Sequence, residues 1–232
     1  MEGKPIDQQM LLIRDYDLFS CITDQEYEDL KLDHHFIVAP KDEYIYFESH
    51  HLSRLFFLKK GFIKIGHINE NGEEVVREII RKGEVFGQIT LERNNLMGEF
   101  AKAHRSEVSL CSWQIDEFEK LLRTKPEMAI QFSKKVGNKL RQTGNRLTNL
   151  LRKDVHERLV HFLADLMVEM GHAPGEKGFS GDNFLTHQDI ARLIGASRQT
   201  VTTLLGELSE AGILTMTRSR LECPDVKRLL NS

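Results

Sequence analysis

The sequence is poor in cysteine, has no long apolar run and carries no excess of positive charge. Each shortage removes a class of protein. Its three cysteines, Cys21, Cys111 and Cys223, are far apart, odd in number and outside any CxxC spacing. That pattern fits a reducing compartment and argues against a disulfide framework or a local metal knuckle. No apolar stretch reaches the ~18–20 residues of a membrane span. The opening stretch MEGKPIDQQMLLIRDYD is acidic and lacks a basic segment followed by an apolar run. No secretory signal is therefore expected, and the expected location is cytoplasmic. There is no GxSxG, HExxH, P-loop or paired-cysteine metal motif. His104 and Asp116 are isolated polar residues with no nucleophile at a telling spacing, so an enzyme is not expected, nor is a cofactor. Internal repeats and low-complexity segments are absent as well.

What is present is an ordinary globular composition, 40% hydrophobic and 29% charged over 232 residues, enough for one large or two modest cores. The formal net charge of −3 does not resemble that of a nucleic-acid binder, but its distribution is uneven. Residues 1–125 hold 17 Lys/Arg against 23 Asp/Glu, residues 126–153 hold 7 against 1, and residues 154–232 hold 8 against 11. Any argument for DNA must rest on local pattern rather than on domain charge.

From about residue 34 to 115 the chain reads as short strands. HHFIVAP, EYIYFES, RLFFLKKGFIKIGHI and EEVVREIIRKGEVFG are β-branched or aromatic runs, punctuated by Pro40-Lys41-Asp42, Lys60-Gly61, Asn71-Gly72 and Lys82-Gly83. Asn71-Gly72 is a two-residue hairpin signal. Such spacing predicts a small antiparallel barrel or roll, with one or two short helices at 6–32 packed on it. From Pro126 the period changes. Phe132, Val136, Leu140, Thr143, Leu147 and Leu150 recur at three- and four-residue steps between lysines and arginines. One narrow apolar stripe on a helix of about 25 residues suits a partner helix, so a self-paired dimer seam is expected. Asp154 to Met170 form another amphipathic helix, and GHAPGEKGFSGDN reads as a loop or loose hairpin.

Residues 185–214 read LTHQDIARLIGASRQTVTTLLGELSEAGIL. Thr186 is a good N-cap, with Asp189 three residues on to favour the positive end of the helix dipole. Gly195 supplies the freedom of a tight turn, Ser197 caps a second helix, and Gly212 ends it. Ile190, Ala191 and Ile194 face inward, as do Val201, Leu204, Leu205 and Leu208. Two helices joined by so short a turn match the helix-turn-helix signature. The second helix, about 198–211, turns Arg198, Gln199, Thr202, Thr203 and Gly206 outward at the end where a recognition helix meets base edges. Arg reads guanine bidentately and Gln pairs with adenine. ILTMTRSRLEC then reads as two short strands, a wing with Arg218 and Arg220 placed for phosphate contact, and PDVKRLLNS as a closing helix.

Taken in order, nearly the whole chain resembles the Crp/Fnr family of bacterial transcription regulators. LFSCITDQEYEDL is similar to the family's N-terminal helical entry, and LFFLKKGFIKI and KGEVFGQITL to its cyclic-nucleotide-type roll. The 126–153 helix resembles its dimerisation helix, and the 185–214 stretch its winged helix-turn-helix. The resemblance implies an α+β chain in three parts: an antiparallel β-roll sensor at 1–125, a dimerisation helix at 126–153 and a DNA-binding domain at 154–232. It implies a homodimer on near-palindromic double-stranded DNA, RNA polymerase as a further partner, and a small-molecule effector that the sequence does not identify.

Departures from the family pattern limit what carries over. In cAMP-binding members the roll supplies a glutamate for the ribose and an Arg-Ser pair for the cyclic phosphate. Here Gly87 is followed by Gln88, and the Arg-Ser region falls at Met97-Gly98-Glu99. A phosphate needs positive charge and donors, and Glu99 repels it. Thr143 matches a threonine that reaches the adenine, but its neighbour is Gly144. Tight cAMP binding is not expected. Cys21 alone cannot serve the iron–sulfur branch. His34-His35 and His50-His51 are adjacent pairs whose members point to opposite faces of a strand, so neither pair chelates by itself; one member of each meeting across the roll is the arrangement a metal or haem would need. At the DNA end Arg198 matches the guanine-reading arginine, Gln199 replaces a glutamate and Thr203 replaces a second arginine of the family's type member. The alternative function is a ligand-binding regulatory module without DNA binding, which would need neither the helix-turn-helix nor the wing.

Overall fold

The computed structural model describes residues 16–23, 25–26, 34–47, 53–89, 98–173 and 176–232. The chain divides into two compact units, Met1–Leu140 and Arg141–Ser232. Most of the 6–32 region read as helical lies outside the described residues, which include a 3-10 turn at Asp17–Phe19.

The first unit is a roll of antiparallel strands, β1 (His34–Ala39), β2 (Tyr44–Phe47), β3 (Arg54–Ile68), β4 (Glu74–Ile80), β5 (Val85–Gly87) and β6 (Glu99–Gln114). The order is β1-β6-β3-β4, with β2 also on β6 and β5 also on β3. Alternation along the central strand builds the interior. Leu55 and Phe57 enter one buried cluster with Phe19, Trp113 and Phe118. Phe56 and Leu58, one residue out of phase, enter the other with Tyr46, Ile80 and Phe86. A strand buried on both faces reads as a continuous apolar run, which is why RLFFL shows no polar alternation.

The sequence reading expected short strands; β3 and β6 are instead 15 and 16 residues long. Lys60-Gly61 is not a turn. The β3–β6 register shifts around it, Gly61 takes φ +86°, and a Cβ there would come within 2.8 Å of the Glu107 carbonyl. Across from it Arg105 takes φ +66°, so both long strands bend at one level. Asn71-Gly72 does lie in a hairpin, though the loop is longer than two residues. Asn69 N–H bonds to the Glu73 carbonyl at 3.0 Å, and Asn69 Oδ1 accepts from the amides of Asn71 and Glu73.

Helix α1 (Ile115–Thr124) presents Ile115, Phe118 and Leu121 to the core, and α2 (Pro126–Arg152) follows after Lys125. Phe132 on α2 is buried against Phe118, their ring centroids 5.2 Å apart, and Val136 packs on the same cluster. These two positions of the expected dimer stripe therefore face the roll within their own unit, whereas Leu140, Leu147 and Leu150 are 74%, 57% and 44% exposed.

The second unit continues with α3 (Val155–Glu169), β7 (Phe179–Asp182), α4 (His187–Ile194), α5 (Arg198–Glu210), β8 (Thr215–Met216), β9 (Arg220–Cys223) and α6 (Val226–Leu230). Asp154 and Glu157 form a capping box that starts α3, satisfying backbone amides left over from helix formation. The segment read as a loop or loose hairpin contains β7, which joins a β7-β9-β8 sheet rather than pairing within itself. At Gly181 an added Cβ would lie 2.5 Å from the tip of the Phe179 ring, which would have to shift. Arg158 on α3 is the tie of this unit. Its Nε donates to Ile194 O at 2.9 Å, Nη1 to Lys153 O at 2.9 Å and Nη2 to Gly195 O at 3.2 Å. Three carbonyls at the ends of α2 and α4 share one charged donor.

Replacing Arg158 by Ala is expected to cost about 2 kcal/mol, the scale of hydrogen bonds to a charged group. Amide exchange should quicken across α4 and α5 and stay unchanged in the roll. Unchanged exchange at α4 would show that the clamp contributes little.

Candidate nucleic-acid interface

Local chemistry dictates the helix-turn-helix. Thr186 caps α4 through a capping box in which Asp189 answers back: its Oδ2 accepts from Thr186 N–H at 2.8 Å and from Thr186 Oγ1 at 2.7 Å. Asp189 is thus buried and hydrogen-bonded rather than merely a surface charge near the dipole. Gly195 closes α4 at φ +65°, a conformation that costs a residue with a Cβ about 1 kcal/mol or more. Ser197 then caps α5, its Oγ accepting from Thr200 N–H at 3.0 Å. Ile190, Ala191, Ile194, Val201, Leu205 and Leu208 are buried between the helices, and Leu204 is half-buried. Gly212 follows the last turn at φ +64°.

The outward face of α5 carries Arg198, Gln199, Thr202, Thr203 and Gly206, all exposed. An added side chain at Gly206 would meet nothing within 4 Å, so this glycine leaves the face low rather than relieving a clash. Thr202 Oγ1 donates to Arg198 O at 2.9 Å and Thr203 Oγ1 donates to Gln199 O at 3.2 Å. With their hydrogens directed into the helix, both threonines offer methyl groups and acceptor lone pairs outward. Arg198 is the positive charge at the N-terminal end, while the exposed acids Glu207 and Glu210 lie at the other end of the helix. Charge on α5 is therefore graded, although residues 154–232 as a whole are acidic.

The wing is braced by the strand that the sequence did not reveal. Thr217 N–H bonds to Arg220 O at 2.9 Å and closes the tip around Arg218-Ser219. The two wing arginines differ. Arg220 donates to Asp182 Oδ1 at 3.2 Å and to Ser180 Oγ at 2.7 Å, both on β7. Arg218 is exposed at the tip. Asn183 links the wing to the approach of α4: its amide bonds to Ser219 O at 2.9 Å and its side chain to Thr217 O at 2.6 Å.

His187 was not singled out by sequence reasoning, yet it joins the two helices. Its Nδ1 lies 2.9 Å from Thr202 Oγ1. Since that hydroxyl's hydrogen points to Arg198 O, the histidine Nδ1 is the donor. Burial, aided by the Arg198 charge, lowers the His187 pKa. The only sequence signal was a ring-bearing residue at the first position of α4, which alone says nothing about its partner.

In the roll, Gly87 takes φ +87°, and a Cβ there would meet Arg54 O at 2.7 Å. Gln88 is buried and donates its backbone N–H to the same carbonyl at 3.0 Å. Gly98 takes φ +72°, and Glu99 beside it is buried. Glu99 accepts from Tyr46 Oη at 2.7 Å and pairs with Arg77 at 2.7 Å. Neither partner was picked from the sequence. Thr143 lies exposed on α2 in the second unit. Met97, His50 and His51 lie outside the described residues. His104 is buried on β6 and Asp116 is exposed in the first turn of α1. Burial pushes the Cys111 thiol up to about 11 and raises Cys223, which fits packing rather than reactivity. Among the described residues no group of His, Cys, Asp and Glu is arranged to hold a metal, and no helix is long and apolar enough to cross a membrane.

Comparison with known proteins agrees with this geometry. A Crp-like helix-turn-helix domain model matches residues 157–232, and a cyclic nucleotide-binding domain model matches residues 36–125. A global nitrogen regulator of Synechocystis is 32% identical over 178 residues, 76% of this chain and 79% of that one. A CRP-like cAMP-activated global transcriptional regulator of Mycobacterium tuberculosis is 26% identical over 82% of this chain and 84% of its own. In fold, the chain is similar to a CooA variant from Carboxydothermus hydrogenoformans (TM-score 0.74, 20% identity, 95% of this chain and 94% of that one). It is similar also to FixK2 from Bradyrhizobium japonicum (TM-score 0.71, 22% identity, 86% and 97%). With a helix-turn-helix and wing at one end, a cyclic-nucleotide-type roll at the other and such relatives over most of its length, the chain belongs to the Crp/Fnr family of DNA-binding transcription regulators.

Proposed function

We propose that the protein is a homodimeric, sequence-specific regulator that lays the start of α5 in the major groove of a near-palindromic site. The observation that carries this reading is the exposed Arg198–Thr203 edge of a helix whose other face is fully committed to packing. Arg198 takes a guanine, Gln199 alters the neighbouring contact, and Thr203 gives up the contact of a second arginine in favour of a methyl surface. Ser197 and Arg218 hold the phosphates, with Arg220 setting the wing that carries Arg218; Thr186, expected at the DNA face, gives both its donors to Asp189 and fixes the start of α4 instead. Two copies pair along the exposed Leu140, Thr143, Leu147 and Leu150 stripe, which spaces the two reading helices about one turn of DNA apart, roughly 34 Å. In this reading residues 1–125 are the sensor, 126–153 the dimer helix and 154–232 the reader. The protein works in the cytoplasm with RNA polymerase as partner, and it is not an enzyme. Its sensor does not take cAMP tightly, since Glu99 stands where a phosphate would sit.

Selection from a random duplex library tests the whole reading. An enriched, palindromic, salt-sensitive site is expected; no enrichment at low salt favours a regulatory module without DNA function.

The roles of the two arginines separate in titrations against specific and random duplexes. Arg198→Ala should lose about 1–3 kcal/mol on the specific site and relax preference at one base per half-site. Arg218→Ala should weaken all sequences alike and lower the salt slope by about 1. Identical behaviour of the two variants would refute this division of roles.

Leu140→Asp or Leu147→Asp places a charge in the seam and should yield monomers by light scattering. A persistent dimer would exclude the stripe as the seam.

A further inference from the structure

Strand β4 carries one residue more than β3 across from it. Ile65 stands opposite Glu78, but Gly66 stands opposite Val76, so Arg77 is the extra residue of a bulge. Bulges re-aim side chains, and Gly66 makes room for this one: an added Cβ there would come within 2.1 Å of Val75 O. The re-aimed Arg77 reaches Glu99 Oε2 at 2.7 Å across the sheet. The other carboxylate oxygen, Oε1, accepts from Tyr46 Oη at 2.7 Å. Glu99 is only 8% exposed at its side chain. Burial and the Glu99 charge raise the Tyr46 pKa far above its ordinary value, which keeps the phenol a donor.

Two donors from different strands, one neutral and one cationic, thus converge on a buried carboxylate at charge-assisted bond lengths. Burying a carboxylate is costly without such partners, and the bulge exists to supply one of them. Glu99 ends the Met97-Gly98-Glu99 stretch, which by resemblance corresponds to the Arg-Ser region of cAMP-binding members. The residue after Arg77 repeats the theme: Glu78 pairs with Lys139 of α2 at 2.8 Å, an ion pair that fastens the first part of α2 to the roll without any added molecule.

We propose that Tyr46 and Arg77 form an oxyanion site in the roll and that Glu99 is its resident occupant. The roll is therefore self-liganded and needs no bound nucleotide or other anion. This deepens the regulator reading by specifying the sensor's chemistry, and it rests on that reading only in calling the roll a sensor. An external anion must displace a carboxylate tethered in place, present at an effective concentration of at least millimolar.

Glu99→Ala opens the site, and acetate is the probe. The variant should melt lower than wild type, and acetate should raise its melting temperature by about 2–4 °C over chloride at equal ionic strength, with wild type unmoved. Equal responses in both proteins, or none in the variant, would overturn the proposal. Should the variant not fold, calorimetry of wild type with cAMP and with acetate decides: no saturable heat is expected, and saturable binding of either refutes a site already filled. Neither arm uses DNA, so failure of the duplex selection would count against the regulator reading and leave this one standing.

Discussion

The reading surface depends on where a single turn is held, and Arg158 holds it. A helix-turn-helix has only two short helices and little interior of its own; α4 is eight residues long, below the length at which a helix is stable alone. Its direction must be fixed from outside. Arg158 does so by giving one hydrogen bond to the end of α4, one to Gly195 and one to Lys153 just past α2. A guanidinium suits the task because its donors form a rigid planar fork. A lysine carries three donors on one rotatable nitrogen, not the planar fork of separate nitrogens that meets these carbonyls. The residue just past α2 and the turn before α5 are consequently linked through one side chain.

The roll solves a related problem with backbone irregularity. Two strands of 15 and 16 residues cannot curl into a roll if both remain regular, because a flat ladder has no reason to turn. Here Gly61 and Arg105 break the long ladder at one level, and the bulge at Arg77 breaks the β3–β4 ladder. The first pair supplies curvature and the second supplies chemistry. In both places an unusual residue sits where hydrogen bonding was given up for a change of direction.

The elements legible in the sequence are those with local causes. Thr186, Asp189, Gly195 and Ser197 announce α4, the turn and α5 because caps and positive-φ glycines act within four residues of themselves. The two-face burial of β3 is visible as an unbroken apolar run. What the sequence does not disclose depends on partners far along the chain. Phe132 and Leu140 lie on one periodic stripe, but periodicity cannot say that the first packs on Phe118 while the second stays exposed. Strand β7 reads as a loop because its glycines suggest turns; its strand state comes from pairing with β9, some 40 residues later. Arg158 and Arg77 each look like ordinary surface arginines, since all but one of their acceptors lie 20 or more residues away. The division of labour between Arg218 and Arg220 is hidden for the same reason, because Arg220 answers to β7.

An acidic DNA-binding domain has to bind through local contacts rather than through net charge. Non-specific affinity scales with the number of phosphates neutralised, and it falls steeply with salt. A domain carrying 8 basic against 11 acidic residues has little of that background attraction. Glu207 and Glu210, exposed at the far end of α5, add repulsion wherever the helix lies along a duplex other than by its N-terminal end. On the proposed reading, Arg198 then has to draw its binding energy from a guanine placed correctly beneath it, since few other charges are available to hold a wrong sequence. Self-repulsion lowers the affinity for every duplex alike and leaves the ratio between right and wrong sequences to the base contacts. On the proposed reading, discrimination then rests on the base contacts of α5, with Thr203 standing where the family's type member has a second arginine.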